Sequence, residues 1–112
     1  MASGTIRQSA SYIVEQGTSG IWTYRKWSDG IAECWCSKTD SVPSGWSGDG
    51  ITLTFPFTFA TVVYAIVQFH NYQIARAYTV ITPKNATTIT IHTNSEDALT
   101  AFFSIDVKGT WK

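Results

Sequence analysis

At 112 residues the chain has room for one core, and its eight Lys and Arg stand against eight Asp and Glu, so its formal net charge is zero. Apolar residues make up 44%, aromatics 14% and charged residues only 14%, the last about half the usual share for a globular domain. No Lys/Arg cluster exceeds Arg25-Lys26, and the most apolar run, 60–69, is about half the length of a membrane-crossing helix, which excludes nucleic-acid binding and helical membrane insertion.

Residues 1–11 are small and polar without periodicity, and 1–19 is read as a lead-in or linker before a domain spanning 20–112. Residues 1–5 lack a basic region followed by an apolar stretch, so no secretory signal is expected. A short apolar run at 12–15 predicts an opening strand, and Gln16-Gly17-Thr18-Ser19-Gly20 predicts a turn. The clearest unit is 21–38, where two aromatic-rich runs meet across Ser28-Asp29-Gly30 as a β-hairpin. A two-residue Asp29-Gly30 turn would place Lys26 opposite Glu33 and Tyr24 opposite Trp35. A three-residue loop with Gly30 at positive φ would place Arg25 opposite Glu33. Either register pairs Glu33 with a cation, which makes it a structural residue.

Cys34 and Cys36 are two apart, so on a strand they share a face with diverging directions; two free thiols are expected, as in a reducing cytoplasm. Metal binding would need further ligands, and His70 and His92 lie far away in the chain. Residues 39–50, with Pro43, Gly45, Gly48 and Gly50 around Trp46, read as a loop. Segment 52–59 alternates Leu53, Phe55, Phe57 and Phe59 against Thr and Pro, a half-buried strand with Pro56 marking an edge or bulge. The run 60–69 predicts a buried strand, its 62–69 part a second strand closed by His70-Asn71. Segments 73–82 and 87–93 predict antiparallel neighbours joined by a turn at 83–86, and 101–111 a closing strand with Phe103, Ile105 and Val107 on one side. No helical periodicity is sustained. Seven or eight strands at this spacing predict an all-β protein, an antiparallel, jelly-roll-like β-sandwich.

Reactive groups are sparse. His70 ends one strand and His92 lies on the Thr side of another, while the carboxylates fall mostly in turns, where Asp accepts from backbone N–H groups. No phosphate loop, dinucleotide fingerprint or nucleophile elbow is present, so no catalytic residue, metal or cofactor is assigned. Asn85-Ala86-Thr87 fits a glycosylation acceptor, a pattern common by chance.

Three pieces together resemble the C-terminal domain of bacteriophage tail-fibre and related virion proteins. They are Trp22-Thr23-Tyr24-Arg25-Lys26-Trp27-Ser28-Asp29-Gly30-Ile31-Ala32-Glu33-Cys34-Trp35, Thr54-Phe55-Pro56-Phe57-Thr58-Phe59, and Ile105-Asp106-Val107-Lys108-Gly109-Thr110-Trp111. The resemblance covers residues 20–112. It implies a β-sandwich, a homotrimer on a fibre axis among other virion proteins, a distal surface open to host receptors, and neither cofactor nor enzymatic activity. From the residues themselves, the excess of large side chains over core space points to apolar patches hidden between copies or to sugars stacking on Trp and Tyr faces. Trp46, Tyr72 and Tyr78, in or beside loops, are the candidates for contact with a receptor or glycan on the bacterial surface. Trp22, Tyr24, Trp27, Trp35, Phe55, Phe57 and Phe59 are assigned to the core or an oligomer interface. The competing readings are a monomeric carbohydrate-binding module and a fibre-borne glycan hydrolase or esterase using His70, His92 or Asp49.

Overall fold

The computed structural model describes residues 11–42, 50–70, 77–93 and 99–112. Seven strands occur among them: β1 (Ile13–Ser19), β2 (Trp22–Trp27), β3 (Ile31–Val42), β4 (Ile51–Phe69), β5 (Ala77–Val80), β6 (Lys84–Thr93) and β7 (Leu99–Thr110). Every neighbouring pair is antiparallel, in the order β1-β2-β3-β7-β4-β6-β5. The expected sandwich is present, and its two layers are one continuous hydrogen-bonded sheet.

Continuity comes from β4. Its first half pairs with β6 from Ile51↔Ile91 to Thr61↔Lys84, and its second half pairs with β7 from Thr61↔Thr110 to Phe69↔Phe103. The expectation of two strands at 52–59 and 62–69 is therefore corrected to a single 19-residue strand serving both layers. The register slips across Pro56, between Thr54 and Phe59, because proline offers no N–H to the ladder. At the crossing, Gly109 of β7 lies where a Cβ would run into the Thr61 carbonyl oxygen and the Val62 Cα. Val62 N donates to Pro83 O (2.8 Å), which ties the corner to the β5–β6 turn.

The layers close face to face. Trp22 of β2 meets Phe55 of β4 edge-on (centroids 5.6 Å apart), and its indole N–H donates to Thr54 O at 2.7 Å. Phe55, Phe57 and Phe59 stack along one side of β4, as their alternation predicts, against Ala32, Cys34 and Cys36 of β3, Ile89 and Ile91 of β6, and Phe103, Ile105 and Val107 of β7. Such interdigitating aromatic pairs add about 0.5–1.5 kcal/mol each to what area burial supplies.

Between the two hairpin registers, the structure adopts Arg25↔Glu33 with the three-residue loop. Gly30 takes φ +100, its N–H donates to Trp27 O (3.0 Å), and Asp29 Oδ1 accepts from Ile31 N (3.1 Å). Other boundaries move. Residues 16–19, expected as a turn, continue β1, which pairs with β2 through a two-residue Gly20-Ile21 loop with Gly20 at φ +59. β3 runs on to Val42 into the expected loop, and β6 starts at Lys84 within the expected turn, where Asn85 accepts φ 55 because its short polar side chain tolerates the left-handed region.

The sandwich has two unlike poles. Ile31, Thr110, Thr61 and Lys84 stand in one row at the corner pole, where Tyr12 is bonded to Ser28 and Trp111 N donates to Gly30 O. Val42, Leu99, Phe69, Ile51 and Thr93, the strand ends flanking 43–49, 71–76 and 94–98, belong to the opposite pole. The register accounts for this, since each of the three connections follows a strand that runs away from the corner and precedes one that runs back toward it.

Candidate functional site

One outer face holds a shallow groove. Across β2, β3, β7 and β4 the outward side chains form rows: Arg25, Glu33, Lys108 and Tyr64; Trp35, Asp106 and Ile66; Ser37, Ser104 and Gln68. All of these except Lys108 and Tyr64 line an open groove of about 500 Å³. Arg25 sits over the Trp35 ring (5.3 Å), 3.9 Å from Glu33 Oε1, and donates to Gln16 Oε1 at 3.3 Å. Ser37 Oγ and Ser104 Oγ are 3.0 Å apart, and Ser104 Oγ lies 2.9 Å from His70 Nε2, whose ring meets Phe102 edge-on.

This face overturns the reading of 60–69 as buried. Val63, Tyr64 and Ile66 are 67%, 42% and 55% exposed, and Phe102, further along β7, is 46% exposed. A bulge causes it: Val62 opposes Gly109 and Tyr64 opposes Lys108, so Val63 is an extra residue. The inward series thereby shifts from Val62 to Ala65, Val67 and Phe69, leaving Val63 and Tyr64 both outside. Apolar composition could not distinguish a two-sided buried strand from a one-sided strand whose outer face is also greasy.

The His70–Ser104 contact has the spacing of a base and a nucleophile, but its setting does not fit acyl transfer. β7 is paired on both sides, to β3 and β4, so the backbone N–H groups around Ser104 are spent on the ladders and none is presented to an oxyanion. The arrangement is a hydrogen-bond chain bracing three strands. Among the described residues no three His, Cys, Asp or Glu gather to hold a metal ion.

The other outer face is chemically different. Thr52 pairs with Thr90 and Thr54 with Thr88, and the Thr52 and Thr90 hydroxyls are 3.0 Å apart.

Of the residues expected in the core or an interface, Trp22, Phe55 and Phe59 are buried, Tyr24 and Phe57 are half-buried against the core, Trp27 is half-buried with its carbonyl bonded to the Trp111 indole, and Trp35 lies in the groove. Trp46 and Tyr72, proposed as ligand contacts, lie outside the described residues, as does Asp49; Tyr78 is on β5 opposite His92. Residues missed by the sequence reading are Tyr64 and Ile66, whose exposure depends on the bulge, and Phe102, which faces outward by the alternation of β7 itself. Cys34 and Cys36 are free, buried thiols on the inner side of β3. Burial raises both, Cys36 to about 11, so neither forms thiolate readily.

No known protein family matches this chain, and no curated protein does either. Its fold, however, is that of tail-fibre C-terminal regions. The C-terminal part of the R2 pyocin fibre of P. aeruginosa superposes with a TM-score of 0.56 at 18% identity, covering 88% of this chain and 25% of that one. The N-truncated R2-type pyocin tail fibre gives 0.56 at 19% identity, covering 88% of this chain and 37% of that one. For the N-truncated R1-type fibre the values are 0.55 and 15%, with 88% and 84% covered. The chain thus spans about a quarter of the first of these structures, and the likeness is one of fold.

Proposed function

We propose that this chain is a structural and recognition domain of a phage-like tail fibre, without catalytic activity, which assembles as a homotrimer in the virion and contacts a receptor or glycan on the bacterial surface. The observation that carries this reading is the pair of unlike poles on a tail-fibre fold. The chain enters beside its last residues at the corner pole, through the Tyr12–Ser28 and Trp111–Gly30 contacts, and the strand ends flanking the three longer connections gather at the other. A fibre attached at the corner pole would present the opposite pole to the host. Trp46 and Tyr72 belong to two of the connections that leave that pole, and Tyr78 lies on the strand that follows one of them. Aromatic side chains there would bind by stacking and by neutral hydrogen bonds, in keeping with zero net charge.

The test combines mass and adsorption. The full chain should behave as a trimer in light scattering and adsorb to a subset of a panel of bacterial strains, and Trp46→Ala and Tyr72→Ala should weaken adsorption without changing the mass. A single-chain mass with no adsorption to any strain would overturn the proposal. Release of reducing ends from host glycans would overturn its non-enzymatic part.

A further inference from the structure

We infer that the outer face built by Trp35, Tyr64, Ile66 and Phe102 is the surface by which copies of this chain pack side by side. This rests on the fibre reading above and names the face that reading leaves open.

The apolar side chains come first. Tyr64 and Ile66 of β4 are well exposed on one face, and Phe102 lies on the adjoining strand β7, with Trp35 one strand further on β3. Large apolar side chains exposed together on one small sheet face, here interleaved with Lys108, Asp106 and Ser104, are costly to leave in water. The Val63 bulge adds to it, because it turns Tyr64 outward where unbroken alternation would have turned it in.

Most of the polar side chains on this face already bond within the chain. Ser37, Ser104 and His70 bond to one another, Gln68 donates to Phe69 O at 3.0 Å, and Arg25 is engaged by Glu33, Gln16 and the Trp35 ring. Covering such groups costs little, since their partners stay with them. A saccharide needs the reverse, donors and acceptors held open for its hydroxyls. The charges point the same way: Arg25 and Lys108 balance Glu33 and Asp106 on one face, so an identical copy meets equal numbers of both signs. The opposite outer face, with Thr52, Thr54, Thr88 and Thr90, offers hydroxyls suited to water. A face running between the poles also lets copies align with their chain-entry ends together and their other poles unobstructed.

The experiment uses the full chain and its variants in sedimentation velocity, with circular dichroism as the check on folding. Wild-type protein should run at three times 12.4 kDa. Ile66→Lys should run at 12.4 kDa at the same concentration with an unchanged strand spectrum, because residue 66 is exposed and the new ammonium lies opposite Asp106 within its own chain. Thr54→Lys, on the Thr face, should keep the wild-type mass. Should Ile66→Lys fail to fold, Ile66→Ser is read by dilution and should dissociate at about tenfold higher concentration than wild type. An oligomer indifferent to residue 66 and lost on Thr54→Lys would overturn this face and leave the fibre reading standing. A wild-type single-chain mass at every concentration would overturn both.

Discussion

Gly109 lies against the backbone of Thr61 and Val62, at the place where one strand leaves the first layer of the sandwich and continues into the second. Thr61 pairs with Lys84 on one side and Thr110 on the other, so the two layers share this residue. The close approach is what lets a single 19-residue strand turn the corner without losing its hydrogen bonds.

Gly109→Ala should therefore be costly. The added methyl meets backbone, which cannot move aside as a side chain can. A loss of about 2–3 kcal/mol is expected in urea unfolding, the upper range of overpacking. A loss within the error of extrapolation would show that the corner has slack.

Trp22→Phe tests the contact between layers. The substitution keeps an aromatic ring beside Phe55 and removes the donor to Thr54 O, leaving a part-buried carbonyl unsatisfied. The expected cost is about 1–3 kcal/mol, from that carbonyl and the lost ring volume together. Equal unfolding midpoints for the two proteins would mean that water reaches Thr54.

The thiols report on opening of the core. Cys34 and Cys36 are buried, and burial raises both above the ordinary thiol range, so native protein at neutral pH should resist alkylation. Labelling should rise with urea along the unfolding curve measured by fluorescence. Reaction of either thiol well before that transition would reveal a separate opening of β3.

Glu15 links the edge strand β1 to β2. The Tyr24 hydroxyl donates to Glu15 Oε2 (2.8 Å) and Lys26 Nζ lies 3.4 Å from Oε1, which together lower the carboxyl below its usual range. A carboxylate lowered in the folded state stabilises it above the unfolded pKa, and this contribution disappears as pH falls through the lowered value. Glu15→Gln should thus melt slightly below wild type at neutral pH and together with it in strong acid. The same hydrogen bond raises the Tyr24 phenol, so the substitution should bring its alkaline titration to lower pH. An unchanged phenol titration would mean that β1 is not held there in solution.

Much of the strand pattern could be read in advance because alternation is local. Phe55 and Phe59 of β4, Ile89 and Ile91 of β6, and Phe103, Ile105 and Val107 of β7 are buried on the sides their spacing predicts. The hairpin loop was legible as two alternatives, and the choice between them rests on one Gly30 dihedral. The outer face was not legible. The bulge at Val63 is set by pairing with a strand 45 residues later, Val62↔Gly109 and then Tyr64↔Lys108, and nothing in the run 60–69 marks it.

From the sequence alone came the all-β class, the inward side of most strands, the free thiols and the likeness to tail-fibre domains, because each depends on side chains a few residues apart or on composition. The tertiary structure decided that 51–69 is one strand shared by two layers, that Tyr64 and Ile66 face outward, and that His70 braces Ser104 instead of standing beside an open oxyanion site. Those outcomes depend on which distant strands pair and in what register, and one inserted residue on one strand reverses the sidedness of everything beyond it.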